Sequence, residues 1–211
     1  MAKALIVQGG WDGHEPKQVS EILAQSLMDN GFDVVLSESL DAFKDKALME
    51  SISLVVPVWT MGKIEGEQLN PLLEAVRGGV GIAGVHGGMG DAFREQTEFQ
   101  FMVGGQWVAH PGGAGVTYTV HLVDPWNPLT AGIEDFEVTS EQYYMHVDPG
   151  NVVLATVSFD HVVMPAIWIK SYGKGRVYYC SVGHIAADVR LPQVNDLVTR
   201  GMLWAAAGKE A

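Results

Sequence analysis

Histidines recur in this sequence where predicted strands end. His14, His86 and His184 follow such ends, and a fourth histidine, His110, lies in a glycine-rich stretch. Imidazoles gain and lose a proton near neutral pH, so they suit proton transfer beside a carbonyl or hydroxyl group. Three imidazoles and one carboxylate, for which Glu141 is the candidate, can equally hold zinc or another divalent ion. No two of these histidines have the spacing of a local metal motif, so both interpretations stay open.

His86 lies in a glycine-rich segment, Gly84–Gly88. A strand followed by such a turn and a helix resembles a nucleophile elbow, here with a histidine at the nucleophile's place. The sequence predicts that the next helix begins near Asp91, a good N-cap residue, and carries Arg94 one turn later. Amide groups at that helix start can bind a developing anion. In the structural alternative, Asp91 and Arg94 only cap the helix and pair.

The elements that must position these side chains alternate in the first half of the chain. Short apolar runs predict buried strands of a parallel sheet: Ala4–Val7, Phe32–Leu36, Leu54–Val58 and Val80–Val85. Apolar residues at helical spacing separate them, with one helix after Pro16, a short one from about Leu40 to Met49, and another around Leu72. Since the carboxyl ends of parallel strands share one edge, where ligands bind, we expect the strand-end histidines to converge.

The second half of the chain has a different pattern. Longer, alternating strands from Val116 onward predict an antiparallel extension. The runs Pro165–Trp168 and Val177–Tyr179 flank a tight turn with Gly173 and Gly175, and they predict a hairpin that ends before His184. A last amphipathic helix is predicted from Val194 to Ala205. With no linker or repeat in sight, we expect one domain over residues 1–211.

The composition fits a compact α/β domain, because 47% of the 211 residues are hydrophobic and only 18% are charged. The formal net charge of −12 argues against nucleic acid or an anionic membrane as a partner and favours a neutral small molecule. Cys180 is the single cysteine, so we expect no internal disulfide and a reducing compartment. The first residues lack the core of a signal peptide, and no run reaches the ~18 apolar residues of a membrane span. We therefore expect a cytoplasmic protein.

Two signals are misleading. Gly79, Gly81 and Gly84 match a dinucleotide-binding pattern, but a helix precedes them and a strand follows, which is the reverse of what a pyrophosphate site needs. No nucleotide cofactor is expected. Cys180 lies inside a predicted strand beside tyrosines, so we interpret it as a buried structural thiol and not as a nucleophile.

Several blocks along nearly the whole chain resemble, in the same order, the ThuA-like (trehalose utilization) family. These blocks are Trp59–Gly62, His86–Arg94, Phe101–Gly112, Ser140–Pro149 and Pro165–His184. The family's fold is related to that of class I glutamine amidotransferases. The resemblance implies a flavodoxin-like α/β fold with a mostly parallel sheet, helices on both faces and an antiparallel extension.

The chain departs from the family pattern at two places. Many members have His-Pro-Ile-Thr-x-Gly where this chain has Asn127–Gly132, and Asp-Glu-x-Tyr where it has Ser140–Tyr143. Roles of that histidine and that aspartate do not carry over. Against the amidotransferase triad, His86 replaces the cysteine, His184 matches the histidine, and Ala186 stands where the glutamate belongs. Without a thiolate, acyl-enzyme chemistry is excluded.

The resemblance implies use of trehalose or a related disaccharide, with a role in handling 3-keto sugars made by a partner oxidoreductase. We expect a sugar-processing isomerase, lyase or hydrolase that works by histidine acid–base chemistry, alone or with a divalent metal such as zinc. A homo-oligomer is compatible with this expectation. The alternative is a non-catalytic carbohydrate-binding or regulatory protein with an amidotransferase-like fold.

Strand-end positions and family blocks together nominate three groups of site residues. The catalytic candidates are His86, His184 and Glu141, and the metal candidates are His86, His110 and His184. The substrate-binding candidates are His14, Trp59, Asp91, Arg94, Gln106, Tyr143 and His146. Among these, the aromatic rings suit the apolar face of a sugar. Any single histidine can instead merely cap a helix, whereas several at successive strand ends favour a site.

We expect the purified protein to release no ammonia from glutamine, because a histidine occupies the elbow and an alanine occupies the acidic position of the triad. A coupled assay for ammonia measures this directly. Glutaminase activity that is present in the wild type and lost in His86→Ala would contradict the interpretation.

Overall fold

The computed structural model describes residues 1–210, within which there are eleven strands and seven α-helices. The strands are β1 (Lys3–Gly10), β2 (Asp33–Ser37), β3 (Leu54–Thr60), β4 (Gly81–Val85), β5 (Gly105–Ala109), β6 (Val116–Leu122), β7 (Phe136–Ser140), β8 (Tyr144–Val147), β9 (Val152–Phe159), β10 (Val162–Tyr172) and β11 (Gly175–Cys180). The helices are α1 (Pro16–Asp29), α2 (Lys46–Ser51), α3 (Gly66–Arg77), α4 (His86–Gly90), α5 (Thr97–Val103), α6 (Ala186–Val189) and α7 (Pro192–Ala206). Short 3₁₀ turns cover Asp12–His14, Leu40–Lys44 and Ala207–Glu210.

Nine strands form one mixed sheet in the order β2-β1-β3-β4-β11-β10-β9-β6-β7. The five strands from β2 to β11 pair in parallel, and the remaining four continue the sheet with antiparallel pairing. β5 and β8 form a separate antiparallel ribbon. This topology confirms the predicted fold class, with a parallel core, an antiparallel extension and the β10–β11 hairpin.

Two glycines of the central strand β4 show how helices cover both faces of the sheet. A Cβ atom on Gly81 would meet Ala205 of α7 at 2.3 Å, and one on Gly84 would meet Met89 of α4 at 2.6 Å. Residues three apart in a strand point to opposite faces, so α7 and α4 pack on opposite sides. Between these layers the Ala4–Val7 segment of β1 is fully buried. Within residues 1–210 no helix is both long and apolar enough to cross a membrane.

The predicted helix from Leu40 to Met49 is wrong in its continuity. A 3₁₀ turn ends at Lys44, Asp45 is extended, and α2 begins only at Lys46. The side chain of Asp45 accepts a hydrogen bond from the Leu48 amide at 3.0 Å. An aspartate that caps a new helix interrupts the preceding one, because a cap residue leaves helical geometry.

The prediction of a helix start near Asp91 is also wrong. α4 begins at His86 directly after β4, and Asp91 lies at its carboxyl end. The glycines of this helix permit contacts that larger residues forbid, since a Cβ on Gly88 would lie 3.0 Å from the Val58 Cα and one on Gly90 would overlap the Tyr179 ring. A glycine-rich segment thus forms a helix here because it is pressed against the sheet.

We expect Gly81→Ala to destabilise the protein by about 1–3 kcal/mol, because the added methyl group overlaps the backbone of α7. Gly66→Ala is the matched control, since its Cβ would meet only the Asn70 side chain at 3.9 Å. Urea unfolding of the wild type and both variants measures the difference. Equal stability of the two variants would contradict this packing of α7 on β4.

Candidate functional site

The carboxyl ends of β1, β4 and β11 bring three histidines to one edge of the sheet. His14 ends the 3₁₀ turn after β1, His86 opens α4 after β4, and His184 follows β11. Glu141 comes from a different region, the connection between β7 and β8. Its position is fixed by a hydrogen bond of 3.1 Å from the Tyr118 hydroxyl to the Glu141 carbonyl.

The Glu141 carboxylate is the centre of this cluster. Its Oε2 atom lies 3.2 Å from His86 Nε2, 3.3 Å from His184 Nδ1 and 3.7 Å from His14 Nε2. All four ligand atoms lie within 4.8 Å of one another, and the side chains are only 2–12% exposed. In a tetrahedral zinc site with bonds of about 2.0–2.2 Å, the ligand atoms are roughly 3.3–3.6 Å apart. The three separations from Glu141 Oε2 are close to that range, whereas the full set of four atoms spreads over up to 4.8 Å.

The outer ring nitrogens show which atoms face the centre. His86 Nδ1 lies 2.7 Å from the Ser181 carbonyl oxygen. A carbonyl only accepts, so this nitrogen carries the proton, and Nε2 of a neutral His86 presents a lone pair to the centre. His14 Nδ1 is likewise held at 2.8 Å by the Thr60 hydroxyl. Such anchoring of the far nitrogen is what orients histidines that ligate metals.

Charge in the cluster is arranged for a cation. Burial, together with the nearby His86 and His184 rings, lowers the pKa of His14 to about 3, so this ring is neutral. Burial opposes ionisation of Glu141, but the His86 hydrogen bond and the nearby His184 ring outweigh it and lower its pKa to about 2. That hydrogen bond needs a second proton, on Nε2, because Nδ1 already donates to Ser181; a neutral His86 would instead place a lone pair 3.2 Å from this anion. Two acceptors at that distance need a proton or a metal ion between them.

His184 supports the same conclusion from another direction. Its Nδ1 atom is buried and, among the described residues, has no hydrogen-bond partner, although Glu141 Oε2 lies at 3.3 Å. The distance is short, but the geometry is not that of a hydrogen bond. A buried polar atom without a partner is costly, and coordination of an ion at the centre would satisfy it. The residues present therefore fit a divalent ion.

Further rings pack around the cluster. Tyr143 stacks on His86 with ring centroids 3.7 Å apart, and burial raises the pKa of its phenol above the usual range. His110 is more open, with 41% of its side chain exposed and Nδ1 at 3.8 Å from Glu141 Oε1. Trp107 lies against His110 with a centroid separation of 5.6 Å. His110 thus stands at the mouth of the cluster.

The group that can hold an ion differs from the predicted metal set. It contains His14 and Glu141 in addition to His86 and His184, while His110 lies outside it. The sequence could not distinguish these histidines, because all four border strand ends or glycine-rich turns. Ligation by His110 stays a prediction without support from this geometry.

The remaining predicted binding residues are less close to the cluster. Asp91 is buried and engages Arg94 through two hydrogen bonds of 2.6 and 2.8 Å, and Arg94 lies over the Trp107 ring at 4.4 Å. This is the pairing of the structural alternative. Gln106 faces His146 across the β5–β8 ribbon. Strand alternation puts that pair on the face opposite Trp107, which contacts the site.

Trp59 and Trp11 occupy neighbouring positions at the strand ends. Trp59 is half-buried and packs over Gly9, where a Cβ would lie 2.6 Å from its ring. Trp11 was not among the predicted residues, yet it is 47% exposed and its ring meets His14 edge-on at 4.8 Å. Its place three residues before His14, in the turn after the first strand, is the signal that could have identified it. The role of Trp59 in substrate binding remains a prediction.

The profile of the ThuA family, described as trehalose utilisation, matches residues 3–205. No curated protein matches the chain. A protein from Parabacteroides merdae described as ThuA-like has a TM-score of 0.80 at 22% identity, over 99% of this chain and 91% of that one. A second, from Bacteroides uniformis, has a TM-score of 0.80 at 15% identity, over 98% and 91%.

A β-galactosidase from Bacillus circulans is also similar, with a TM-score of 0.63 at 13% identity. The match covers 99% of this chain but 31% of that enzyme. At such identities these solved structures establish the fold alone.

We expect the purified protein to bind about one zinc ion per chain and Glu141→Gln to weaken this binding by at least about tenfold, because the variant keeps the shape but removes the anion. Zinc should raise the melting temperature of the wild type more than that of the variant. His121→Ala is the control, since His121 is half-exposed on β6 and pairs with Asp135. Chelator competition and calorimetry measure both effects. Zinc affinity unchanged in Glu141→Gln would exclude this cluster as the metal site.

Proposed function

The chain belongs to the ThuA family, and from that membership we propose that it is an enzyme of carbohydrate utilisation acting on a disaccharide or glycoside that carries a 3-keto group. The observation that carries the proposal is the buried cluster of His14, His86, His184 and Glu141. A divalent ion held by these residues would polarise a ketone oxygen. The net charge of −12 favours a neutral sugar over a polyanion.

The proposed chemistry begins at the carbon beside the ketone. A keto group acidifies the adjacent C–H, and loss of that proton is compatible with isomerisation, elimination and hydrolysis alike. His110 is suited to move this proton, because its ring is exposed at the mouth and lies outside the buried group. His86 and His184 would then hold and orient the ion. Without an ion, one of these two rings would take the proton itself.

Two further groups keep the site in order. Tyr143 stays a neutral phenol, since burial raises its pKa above the usual range, and its stacking fixes the plane of the His86 ring. Arg94 is neutralised by Asp91 and packs on Trp107, which in turn supports His110. These contacts hold the proposed base beside the cluster.

The substrate class implies a preceding reaction. A 3-keto sugar arises by oxidation of a ring hydroxyl, so an oxidoreductase must act before this protein. That enzyme is a functional partner in a reaction sequence, and the proposal does not require it to bind this chain.

We expect the zinc-loaded wild type to convert a 3-keto disaccharide, with deuterium from D₂O entering the carbon beside the ketone. His110→Ala should lower turnover by about two to four orders of magnitude while zinc content and melting temperature stay unchanged, because the ring is at the rim. His86→Ala should lose zinc, turnover and the zinc-dependent stability together. NMR of the sugar, metal analysis and calorimetry on the same preparations measure these outcomes.

His121→Ala is the matched control variant and should behave as the wild type. Unoxidised trehalose is the control substrate and should not react. A metal-loaded wild type that neither turns over nor exchanges the keto sugar, but is stabilised by it, would contradict the enzyme and favour a carbohydrate-binding protein. Full activity in His110→Ala would remove this residue from the mechanism.

A further inference from the structure

Trp11 is an exposed indole on a rigid turn beside a buried polar cluster. Nearly half of its surface is open, whereas the ring meets His14 edge-on at 4.8 Å. Such exposure leaves part of a large aromatic surface accessible to a ligand that approaches the cluster. The feature is not explained by core packing.

The turn that carries Trp11 is fixed at several points. The Trp11 amide donates to the Thr60 carbonyl at 3.1 Å, and the Glu15 amide donates to Asp12 at 2.9 Å. Glu15 adopts a left-handed conformation with φ of 49°, and its carboxylate accepts from the Ala186 amide at 2.9 Å. This last bond ties the turn to the segment that follows His184. The indole is therefore presented by a preorganised backbone.

Gly13 makes room for the ring. A Cβ atom at this position would lie 2.3 Å from the Trp11 indole. Because the ring lies over a bare α-carbon on one side and against His14 on another, its orientation is set without a ligand. A flat aromatic face held in this way matches the apolar C–H face of a sugar ring.

The space beside the turn has the chemistry of a neutral polyhydroxyl ligand. A cleft of about 450 Å³ borders the turn through Asp12, one residue beyond the Trp11 ring, which does not itself line the cleft, and its polar groups include Gln8, Gln18 and Glu38. Amides and carboxylates bind hydroxyl groups. Asp12 and Glu38 outnumber the one cation of the lining, Lys17, so its formal charge of −1 disfavours a phosphorylated sugar relative to a neutral one.

We propose that Trp11 is the stacking platform for a pyranose ring, and that the adjoining cleft selects a neutral sugar over its phosphorylated form. The inference rests on the proposed function for the site to which the ring is delivered. It adds Trp11 as a residue that determines specificity, and it adds that the substrate carries no charge. Trp11 acts by holding the ring, so its loss should change binding and leave the chemical step intact.

The test uses titration calorimetry with trehalose and with trehalose phosphate, and the KM and kcat for the 3-keto disaccharide. Trp11→Ala should weaken trehalose binding and raise KM by about three- to tenfold, with kcat and zinc content unchanged. Trp11→Phe should recover most of the affinity, because it keeps an aromatic face. Trp126→Ala is the matched control, since Trp126 is 89% exposed in the loop between β6 and β7.

The outcomes separate this inference from the proposed function. Turnover of the keto sugar with an unchanged KM in Trp11→Ala overturns the platform and leaves the enzyme in place. Binding that depends on Trp11 without any turnover supports the platform and contradicts the enzyme. Tighter binding of the phosphorylated sugar overturns the charge selection, and absence of sugar binding in the wild type overturns the whole inference.

Discussion

The buried carboxylate of Glu141 is the constraint on which the site depends. An anion removed from water is costly unless cations or hydrogen bonds compensate it, and here three imidazole rings from distant parts of the sequence surround it. His86 and His184 approach Oε2 at 3.2 and 3.3 Å from the ends of parallel strands. Ser140 also donates to Asp188 at 2.6 Å, which joins β7 to α6. The carboxylate thus ties the antiparallel extension to the parallel core, and folding of both halves is needed to assemble the site.

At the elbow, His86 places an imidazole, which could bind a metal ion, where a related fold places a nucleophile. His86 has a φ of 43°, a strained conformation that persists because its neighbours hold it. The Tyr179 hydroxyl donates a hydrogen bond to the His86 carbonyl at 3.0 Å. Nδ1 of the His86 ring is hydrogen-bonded to the Ser181 carbonyl. Burial raises the pKa of Cys180 to about 12, so the single thiol of the chain supplies no thiolate nearby. The elbow therefore carries an imidazole and not a thiol at the position of the nucleophile.

Much of the fold and part of the site could be predicted from the sequence. Apolar runs and helical stripes identified the parallel core, because each buried element carries its own period. The rule that ligands gather at strand ends singled out His86 and His184. The approach of Glu141 had no local signal, since β7 lies at the far edge of the sheet and its path back depends on tertiary contacts. The sequence did not predict the helix that begins at His86, because glycine has a low helix propensity. Here the glycines are needed for close packing, which a propensity scale does not include.

The difference in exposure between the cluster and its mouth restricts how a ketone can meet the proposed site. The four donor side chains are 12% exposed or less, whereas His110 and Trp11 are open. Under the proposed function, a keto sugar would enter from their side, with its carbonyl oxygen inward and its ring outside. The carbon beside the ketone would then stay near the mouth, next to His110, because it belongs to the sugar ring, which lies outside the buried group. In this arrangement the proposed mechanism assigns carbonyl polarisation to the buried cluster and proton transfer to His110 at the rim.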